Sequence, residues 1–288
     1  MRVLVTGAGG LVGRAVSEHC RNSGDEVLSY TRTNLDITDG ALVRETIIRN
    51  EPDVVINCAA WTDVDGCESN RDKAFAVNAV GPENLANACR EVGCVFITIS
   101  TDYVFDGSKQ GFYTQDDEPN PQSVYAASKL DGERRSSGSY DRAIIVRTGY
   151  IFGAGGNNFL STVVERARNG TRLKAIRDMY GTPTYAEDLA ARLRELAIAD
   201  KPGIYHVVNS GPGVSFEEFT RKAIALTGNR DAVVEPVSAD TLNRPAPRPR
   251  NSRLRCLLTG AIGLPDLRDW LEALEEFVTA EERQRRGI

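Results

Sequence analysis

The sequence predicts an α/β protein built on a doubly wound parallel sheet, with a smaller C-terminal lobe. Three observations predict this class. A glycine-rich turn follows the first apolar run, strand and helix patterns alternate along most of the chain, and a Tyr-x-x-x-Lys pair follows a buried strand that ends in a hydroxyl residue. With 288 residues, 41% of them apolar, the chain is long enough to bury a large core.

Composition and charge narrow the function classes. The net charge of −5 and the pI near 5.3 argue against a nucleic-acid or anionic-membrane surface. Six cysteines without a CxxC spacing and only two histidines argue against a zinc site or a disulfide framework, so we predict no metal and reduced thiols. The N-terminus enters a strand at once and no apolar run reaches membrane length, so we expect a soluble cytoplasmic protein.

The first unit runs from the strand Arg2–Thr6 through a glycine motif into a helix from Arg14 to Asn22. A plain turn is the alternative interpretation, but glycines at this spacing between a strand and a helix are typical of the Rossmann fold. The helix N-terminus would offer amide donors to a pyrophosphate. The predicted cofactor contacts of this motif are Gly7, Gly10, Leu11, Val12 and Gly13.

The second strand, Glu26–Tyr30, lacks the acidic residue that usually holds a ribose 2′-hydroxyl at its end. Arg32 stands there instead, and with Arg14 it could pair with a 2′-phosphate. This favours NADPH, while use of NADH and a purely solvated role for both arginines stay open. Asp36 and Ile37 are predicted at the adenine end of the cofactor.

The third strand, Pro52–Asn57, is followed by small residues. Ala59 and Ala60 are predicted to let the cofactor backbone lie close to the strand end. The next residues, 61–65, continue as a loop over the site. Asn78 falls in a helix predicted from Lys73 to Arg90, where it either braces this loop, relays protons or makes an ordinary helix hydrogen bond.

The candidate catalytic residues are Thr101, Tyr125 and Lys129. Thr101 ends a buried strand that begins at Val95, and ligands bind at that end of the strands in open α/β sheets. Tyr125 and Lys129 are four residues apart on a predicted helix, so they share one face. An ammonium near the phenol would lower its pKa, and the phenol could then protonate an alkoxide near neutral pH. The alternative is a pair that serves packing and solvation alone.

Later segments complete the sheet and form the lobe. Residues 142–147 and 204–208 are predicted strands, and His206 within the second is predicted to be a core histidine. Residues 244–253 are locked by prolines and display arginines, which suggests either a diphosphate clamp or a basic linker. Residues 265–286 are predicted to be an amphipathic helix. We expect residues 1–149 and 184–210 to form the dinucleotide-binding domain, and residues 150–183 and 211–288 to form the substrate-binding lobe.

These motifs together resemble the extended short-chain dehydrogenase/reductases, most closely the dTDP-4-dehydrorhamnose reductases. The resemblance runs nearly end to end. Its motifs are the glycine turn, Asn57 to Ala60, Ser100 to Gly107, Tyr125 with Lys129, Gly156 to Phe159, Gly181 to Thr184, and Arg244 to Ser252. The last three are the most specific to this group, and they favour the clamp over the linker.

The resemblance implies reduction of the 4-keto group of a dTDP-linked 6-deoxyhexose. Thr101 and Tyr125 would contact the keto oxygen, with Tyr125 as general acid, and Lys129 would hold the nicotinamide ribose. The implied substrate contacts are Thr62, Val64, Asp102, Tyr103, Tyr150, Asn158 and Arg248. Tyr150 stands where the family often has a tryptophan, so stacking on the sugar is expected to differ.

The resemblance also allows a homodimer with magnesium held by carboxylates at its interface. Glu187 matches one such carboxylate, but Ala15 stands where another is expected, so neither the metal nor that dimer is assumed.

Two rival interpretations remain. A nucleotide-sugar 4,6-dehydratase or epimerase shares the fold, but a dehydratase would carry a glutamate where Tyr103 follows Asp102. An epimerase would keep its NAD tightly bound, whereas the arginines favour an exchangeable NADPH. The second rival is a non-catalytic subunit like the regulatory subunit of methionine adenosyltransferase. Turnover would separate these classes.

Overall fold

A six-stranded parallel sheet forms the centre of the protein, in a computed structural model that describes residues 1–169, 172–229 and 232–286. The strands are β1 (Arg2–Thr6), β2 (Glu26–Tyr30), β3 (Val54–Asn57), β4 (Val95–Thr101), β5 (Ala143–Thr148), β6 (Ile151–Phe152), β7 (Leu173–Ile176), β8 (Tyr180–Gly181), β9 (Thr184–Tyr185), β10 (Gly203–His206), β11 (Asn209–Ser210), β12 (Val214–Ser215), β13 (Val234–Val237) and β14 (Leu267–Asp269). The helices are α1 (Leu11–Asn22), α2 (Gly40–Asn50), α3 (Val64–Ser69), α4 (Arg71–Phe75), α5 (Gly81–Val92), α6 (Val124–Ser139), α7 (Phe159–Arg168), α8 (Ala186–Ala199), α9 (Phe216–Thr227) and α10 (Trp270–Arg286).

The strand order of the central sheet is β2-β1-β3-β4-β5-β10. The chain runs outward from β1 to β2 and then returns to the other side of β1 to form β3, with all the pairings parallel. The connections that leave the carboxyl ends of β1 and β3 therefore run in opposite directions, and a crevice opens between these connections, where open α/β sheets bind ligands. The predicted doubly wound sheet is confirmed.

Both faces of the sheet are covered, which explains why its strands are nearly continuous apolar runs. Successive residues of β1 point to opposite faces. Val3 and Val5 join a core that includes residues of α1 and α8, and Leu4 joins a second core with residues of α2 and α5. The predicted helices thus flank the sheet on both sides.

A separate hydrophobic cluster lies in the C-terminal half of the chain. It is built around aromatic rings, among them Phe152, Phe219, Trp270 and Phe277. Most of its members come from the segments predicted to form the lobe, which supports a second packing unit. The exact division into two domains stays a prediction, and residues 170–171, 230–231 and 287–288 of the proposed lobe lie outside the described part.

The structure changes the bounds of several predicted elements, and among these the helix expected from Arg14 begins at Leu11 and the strand expected from Pro52 begins at Val54. The helix expected over residues 73–90 runs from Arg71 to Val92, and it contains a π-helical turn at Ala76–Val80. The helix expected over residues 265–286 begins only at Trp270, because residues 267–269 pair with β11 as β14. The strand expected over residues 204–208 ends at His206.

His206 is a core residue, as predicted. It is 2% exposed, its Nδ1 lies 3.0 Å from the carbonyl oxygen of Arg255, and its ring contacts the edge of Phe105. Among the described residues, no helix has the length and apolar character needed to cross a membrane.

Candidate active site

Two cavities lie at the carboxyl edge of the sheet and meet at Cys58, Ala59 and Ala60. The first, of about 330 Å³, lies between the glycine turn and the end of β2. The second, of about 320 Å³, lies over the end of β4 and the start of α6. A dinucleotide and a second ligand could therefore occupy one continuous cleft, with the small residues after β3 at the junction.

The glycine turn packs directly against the end of β3. Gly7 has φ +65°, and a Cβ there would lie 2.6 Å from the backbone nitrogen of Ala59. A Cβ on Gly13 would lie 2.2 Å from the carbonyl oxygen of Gly7, so only glycine lets α1 start this close to the turn. Gly7 and Gly10 line the first cavity, whereas Gly13 serves the packing of the helix.

The outer end of the first cavity carries Arg32, Asp36 and Ile37, as the sequence predicts. Arg32 lies 3.6 Å from the Asp36 carboxylate, and its side chain is 74% exposed. Hydrogen bonds from the backbone and hydroxyl of Thr38, followed by the charge of Arg32, lower the pKa of Asp36. Arg32 thus lies where the sequence predicts the 2′-phosphate, but in the free protein its guanidinium already faces the Asp36 carboxylate at 3.6 Å.

Arg14 does not lie where the sequence interpretation put it. Its guanidinium donates to the carbonyl oxygens of Gly9 at 2.8 Å and Gly155 at 2.7 Å, and it is absent from the cavity lining. The Leu11 side chain likewise faces the loop of residues 153–156, while Val12 lines the second cavity. Arg14 and Leu11 therefore both contact the loop of residues 153–156, which belongs to the predicted lobe. No local sequence pattern connects this loop to α1.

Thr101, Tyr125 and Lys129 all line the second cavity. Thr101 is the last residue of β4, and its Oγ1 accepts a hydrogen bond from the Tyr103 backbone at 3.2 Å. Ser123 caps α6 by accepting a bond from Ala126 at 3.2 Å, which fixes Tyr125 in the first turn. The two elements predicted from the sequence therefore bring the three side chains to one wall.

Burial sets the protonation of this group. It raises the pKa of Tyr125, and a hydrogen bond with Thr101 opposes the rise only in part. Burial also lowers the pKa of Lys129 to about 8, and its Nζ donates to the carbonyl of Ile99 at 2.7 Å. The expected lowering of the Tyr125 pKa by Lys129 is wrong for the free protein, because desolvation of the phenolate outweighs any attraction to the ammonium.

Asn78 joins the cofactor side of the cleft to the catalytic helix. Its side chain accepts from the Trp61 backbone at 2.8 Å and donates to the Trp61 carbonyl at 3.1 Å and to the Ser128 hydroxyl at 3.0 Å. Of the roles left open for this residue, bracing the loop is the one its contacts support. The π-helical turn that contains it gives no local signal in the sequence.

A buried ion pair lies behind the catalytic residues. Glu133 of α6 accepts three hydrogen bonds from Arg147 of β5, the shortest at 2.7 Å, and it also accepts one from the Ser100 hydroxyl. Both charged side chains are 4% exposed. The charge of Glu133 acts against the lowering of the Lys129 pKa. The pair ties the helix of Tyr125 to β5, and the Ser100 bond ties the same helix to the strand that ends at Thr101.

The residues predicted to contact substrate fall into two groups. Thr62, Val64, Asp102, Tyr103, Tyr150 and Asn158 line the second cavity. Asp102 is buried, which raises its pKa to about 6, and its Oδ2 has no hydrogen-bond partner among the described residues. Asn158 caps α7, with its side chain bonded to Ser161 and Ile151.

Tyr150 forms part of the wall opposite the catalytic residues. Its backbone has φ +49°, which is uncommon for a bulky residue. Its hydroxyl donates to the Met179 carbonyl at 3.1 Å, and its ring lies 4.4 Å from that of Phe216. Phe216, on α9, also lines the cavity, although it lies far along the chain and no motif singled it out.

Arg248, the predicted diphosphate contact, lies outside both cavities. It lines a third space of about 330 Å³ together with Arg244 and Arg250. Its guanidinium makes two bonds with Asp65, at 2.9 and 2.8 Å, which lower the pKa of that carboxyl. In the free protein the arginine segment is therefore connected to α3, which begins at Val64, and not to the loop that precedes it.

Among the described residues no group of three or more histidine, cysteine, aspartate or glutamate side chains lies close enough to hold an ion. Burial raises the pKa of Glu187 to about 7, and the charges of Asp188 and Glu18 add to the rise.

Comparison with known proteins agrees with this arrangement. The family model described as the RmlD substrate binding domain matches residues 1–283. The dTDP-4-dehydrorhamnose reductase of Streptomyces griseus is 42% identical over 285 residues, which cover 97% of this chain and 93% of that protein.

Two crystal structures of dTDP-4-dehydrorhamnose reductases are similar over almost the whole chain. The structure from Clostridium acetobutylicum has a TM-score of 0.93 at 37% identity and covers 98% of this chain and 100% of its own. The structure from Bacillus anthracis, in complex with NADP, has a TM-score of 0.92 at 34% identity. The match covers 97% of this chain and 99% of the B. anthracis chain. The resemblance found in the motifs is confirmed, and the chain belongs to the RmlD family.

Proposed function

We propose that this protein is an NADPH-dependent oxidoreductase that reduces the 4-keto group of dTDP-4-dehydro-L-rhamnose to give dTDP-L-rhamnose. The observation that carries the proposal is the position of Thr101, Tyr125 and Lys129 on the wall of a cavity that joins the glycine-turn cavity at Cys58 to Ala60. The names of the S. griseus relative and of the NADP-bound B. anthracis structure support the substrate and the cofactor.

The first cavity fits a dinucleotide. Gly7 and Gly10 leave the backbone of the turn open beside the N-terminus of α1, which attracts phosphate, and Arg32 stands at the outer end. Ala59 and Ala60 line both cavities, so a dinucleotide passing over them would reach the second cavity with its nicotinamide. Bound NADPH supplies the hydride for C4 of the sugar.

Tyr125 acts as the general acid. With hydride supplied to C4, the carbonyl π electrons would move to oxygen, and the Tyr125 phenol would give its proton to that oxygen to form a hydroxyl, leaving a phenolate. The raised pKa of Tyr125 keeps the phenol protonated until this step. In the free protein the Thr101 hydroxyl donates to Asp102 at 3.1 Å, so its proton must turn away from Asp102 to hold the keto oxygen.

Lys129 holds the cofactor and tunes the acid. One of its three donors bonds to the Ile99 carbonyl, and the others are free to bind the hydroxyls of the nicotinamide ribose. A ligand that covers this ammonium also brings its charge to bear on the Tyr125 phenolate left after proton transfer. The homodimer and the cytoplasmic location stay predictions.

The test is turnover. Purified protein should consume NADPH when given dTDP-4-keto-L-rhamnose, with dTDP-L-rhamnose identified by mass and sugar stereochemistry, and NADH should be assayed in parallel. NADPH binding without turnover would contradict the proposal and point to another keto sugar, and then to a regulatory subunit.

Tyr125→Phe tests the general acid. We expect turnover to fall by about 10²–10⁴-fold with cofactor affinity nearly unchanged, because only the transferable proton is removed. Tyr140→Phe is the matched control, since the Tyr140 hydroxyl donates to the Cys94 carbonyl, away from the cleft. Near-normal turnover of the Tyr125 variant would remove this residue from the mechanism.

A further inference from the structure

Lys73 lies at the first cavity, which Arg32 also lines, and no sequence motif singled it out. It lines the cavity together with Trp61 and Val77. Its Nζ stands 4.2 Å from the centre of the Trp61 ring, within the range of a cation–π contact. The ammonium is therefore held at the edge of the space that a dinucleotide would fill.

The ring below Lys73 is itself fixed. Asn78 holds the Trp61 backbone on both sides, at 2.8 and 3.1 Å, and is buried. Lys73 and Asn78 belong to the same continuous helical segment, so the ammonium, the ring and the brace form one unit. A cation presented on such a support loses less freedom when it binds an anion than a lysine on a mobile loop would.

The charge inventory of the cavity leaves Lys73 without an opposing carboxylate. Arg32 lies beside Asp36 at 3.6 Å, and Arg14 donates to two carbonyl oxygens outside the cavity. Among the described residues, Lys73 makes no ion pair within 4.0 Å. A dinucleotide with a 2′-phosphate carries two phosphate groups in its pyrophosphate and a third on the ribose. The negative charge of these three groups exceeds the positive charge that Arg32 and the α1 N-terminus supply.

We propose that Lys73 binds a phosphate group of the cofactor and, with Trp61, forms the wall that closes over it. The proposal rests on the proposed function, because it assigns a ligand to the same dinucleotide cavity. The lysine meets either the pyrophosphate, which NADPH and NADH share, or the 2′-phosphate, which only NADPH carries. The two cofactors therefore distinguish these sources of the same chemistry.

The experiment is calorimetric titration of the full-length protein with NADPH and with NADH, without any sugar. Lys73→Met keeps the length of the side chain and removes its charge. Loss of one charge-assisted hydrogen bond should weaken binding about tenfold or more. Equal losses for the two cofactors assign Lys73 to the pyrophosphate, and a loss confined to NADPH assigns it to the 2′-phosphate. Lys73→Arg should restore most of the affinity.

Lys222→Met is the matched control, because Lys222 is exposed on α9, away from the cleft. Binding of both cofactors by Lys73→Met within about twofold of the wild-type affinity would overturn the proposal. So would a lower melting temperature with unchanged affinity, because the lysine would then only support the Trp61 ring. Wild-type protein that binds NADPH but fails to turn over the sugar would contradict the proposed function and leave this inference standing. Failure of the wild type to bind either cofactor would overturn both.

Discussion

Glu133→Gln should destabilise the protein far more than the loss of an ordinary salt bridge. Glu133 and Arg147 are each 4% exposed, and Arg147 donates to both carboxylate oxygens. A neutral amide leaves the guanidinium buried without a counter-charge, which costs about 3–5 kcal/mol when one partner of a buried pair is removed. For a chain of this size that loss corresponds to a fall in melting temperature of roughly 5–15 °C.

The assay is equilibrium unfolding in urea, with Glu83→Gln as the matched control. Glu83 lies 2.8 Å from Arg135, but the two side chains are 29% and 43% exposed, so its loss should cost less than about 1 kcal/mol. Replacing both buried partners, as Glu133→Leu with Arg147→Met, should recover much of the stability because no charge is then left unpaired. A Glu133→Gln variant no less stable than Glu83→Gln would refute this account of the pair.

The same variant should also change catalysis. The charge of Glu133 supports the ammonium form of Lys129, whose pKa burial lowers to about 8. Without that charge the Lys129 pKa falls further, so the alkaline limb of the pH–rate profile should move to lower pH. A profile identical to that of the wild type would show that the two groups are not coupled.

Two further predictions follow from burial and close packing. In the folded protein Lys129 has a pKa of about 8, against an ordinary value of 10.5. Between these two pH values the unfolded chain binds one proton more than the folded chain, so the free energy of unfolding rises with pH. Lys129→Met should flatten this rise, which urea unfolding of the variant and the wild type from pH 8 to pH 10 would measure. Gly13→Ala should abolish cofactor binding or folding because its Cβ would lie 2.2 Å from the Gly7 carbonyl oxygen, whereas Gly138→Ala, with open space in α6, should raise the melting temperature by stabilising the helix by about 0.5–1 kcal/mol. Equal behaviour of the two alanine variants would contradict the packing argument.

Much of the fold could be predicted because each element carries its own pattern. The strand Glu26–Tyr30 has the predicted bounds, and Thr101, Tyr125 and Lys129 meet at one cavity, since a strand end and a helix start fix their positions. The π-helical turn at Asn78 could not be predicted from a local pattern, and the contacts that Asn78 makes there, with Trp61 and Ser128, involve residues distant in the sequence.

The site residues that lie elsewhere than expected in the free protein have partners that are distant in the sequence. Arg14 bonds to Gly155 and Arg248 to Asp65, so both arginines have partners that spacing could not reveal. The pKa of Tyr125, which the sequence predicts to be lowered, is raised in the structure for a related reason. Spacing shows that an ammonium is near the phenol, but the degree of burial, which dominates, depends on the whole fold.

The position of β10 at the sheet edge has a consequence for how the chain is made on the ribosome. β10 pairs with β5, but the segment 149–202 separates them in sequence. At roughly 5–20 residues per second, the growing chain spends about 3–10 s with the apolar strand Ala143–Thr148 lacking its neighbour. Nascent chains interrupted in this interval carry an open strand edge that can recruit other chains. Release of unfinished products during this interval would therefore expose the β5 edge to aggregation.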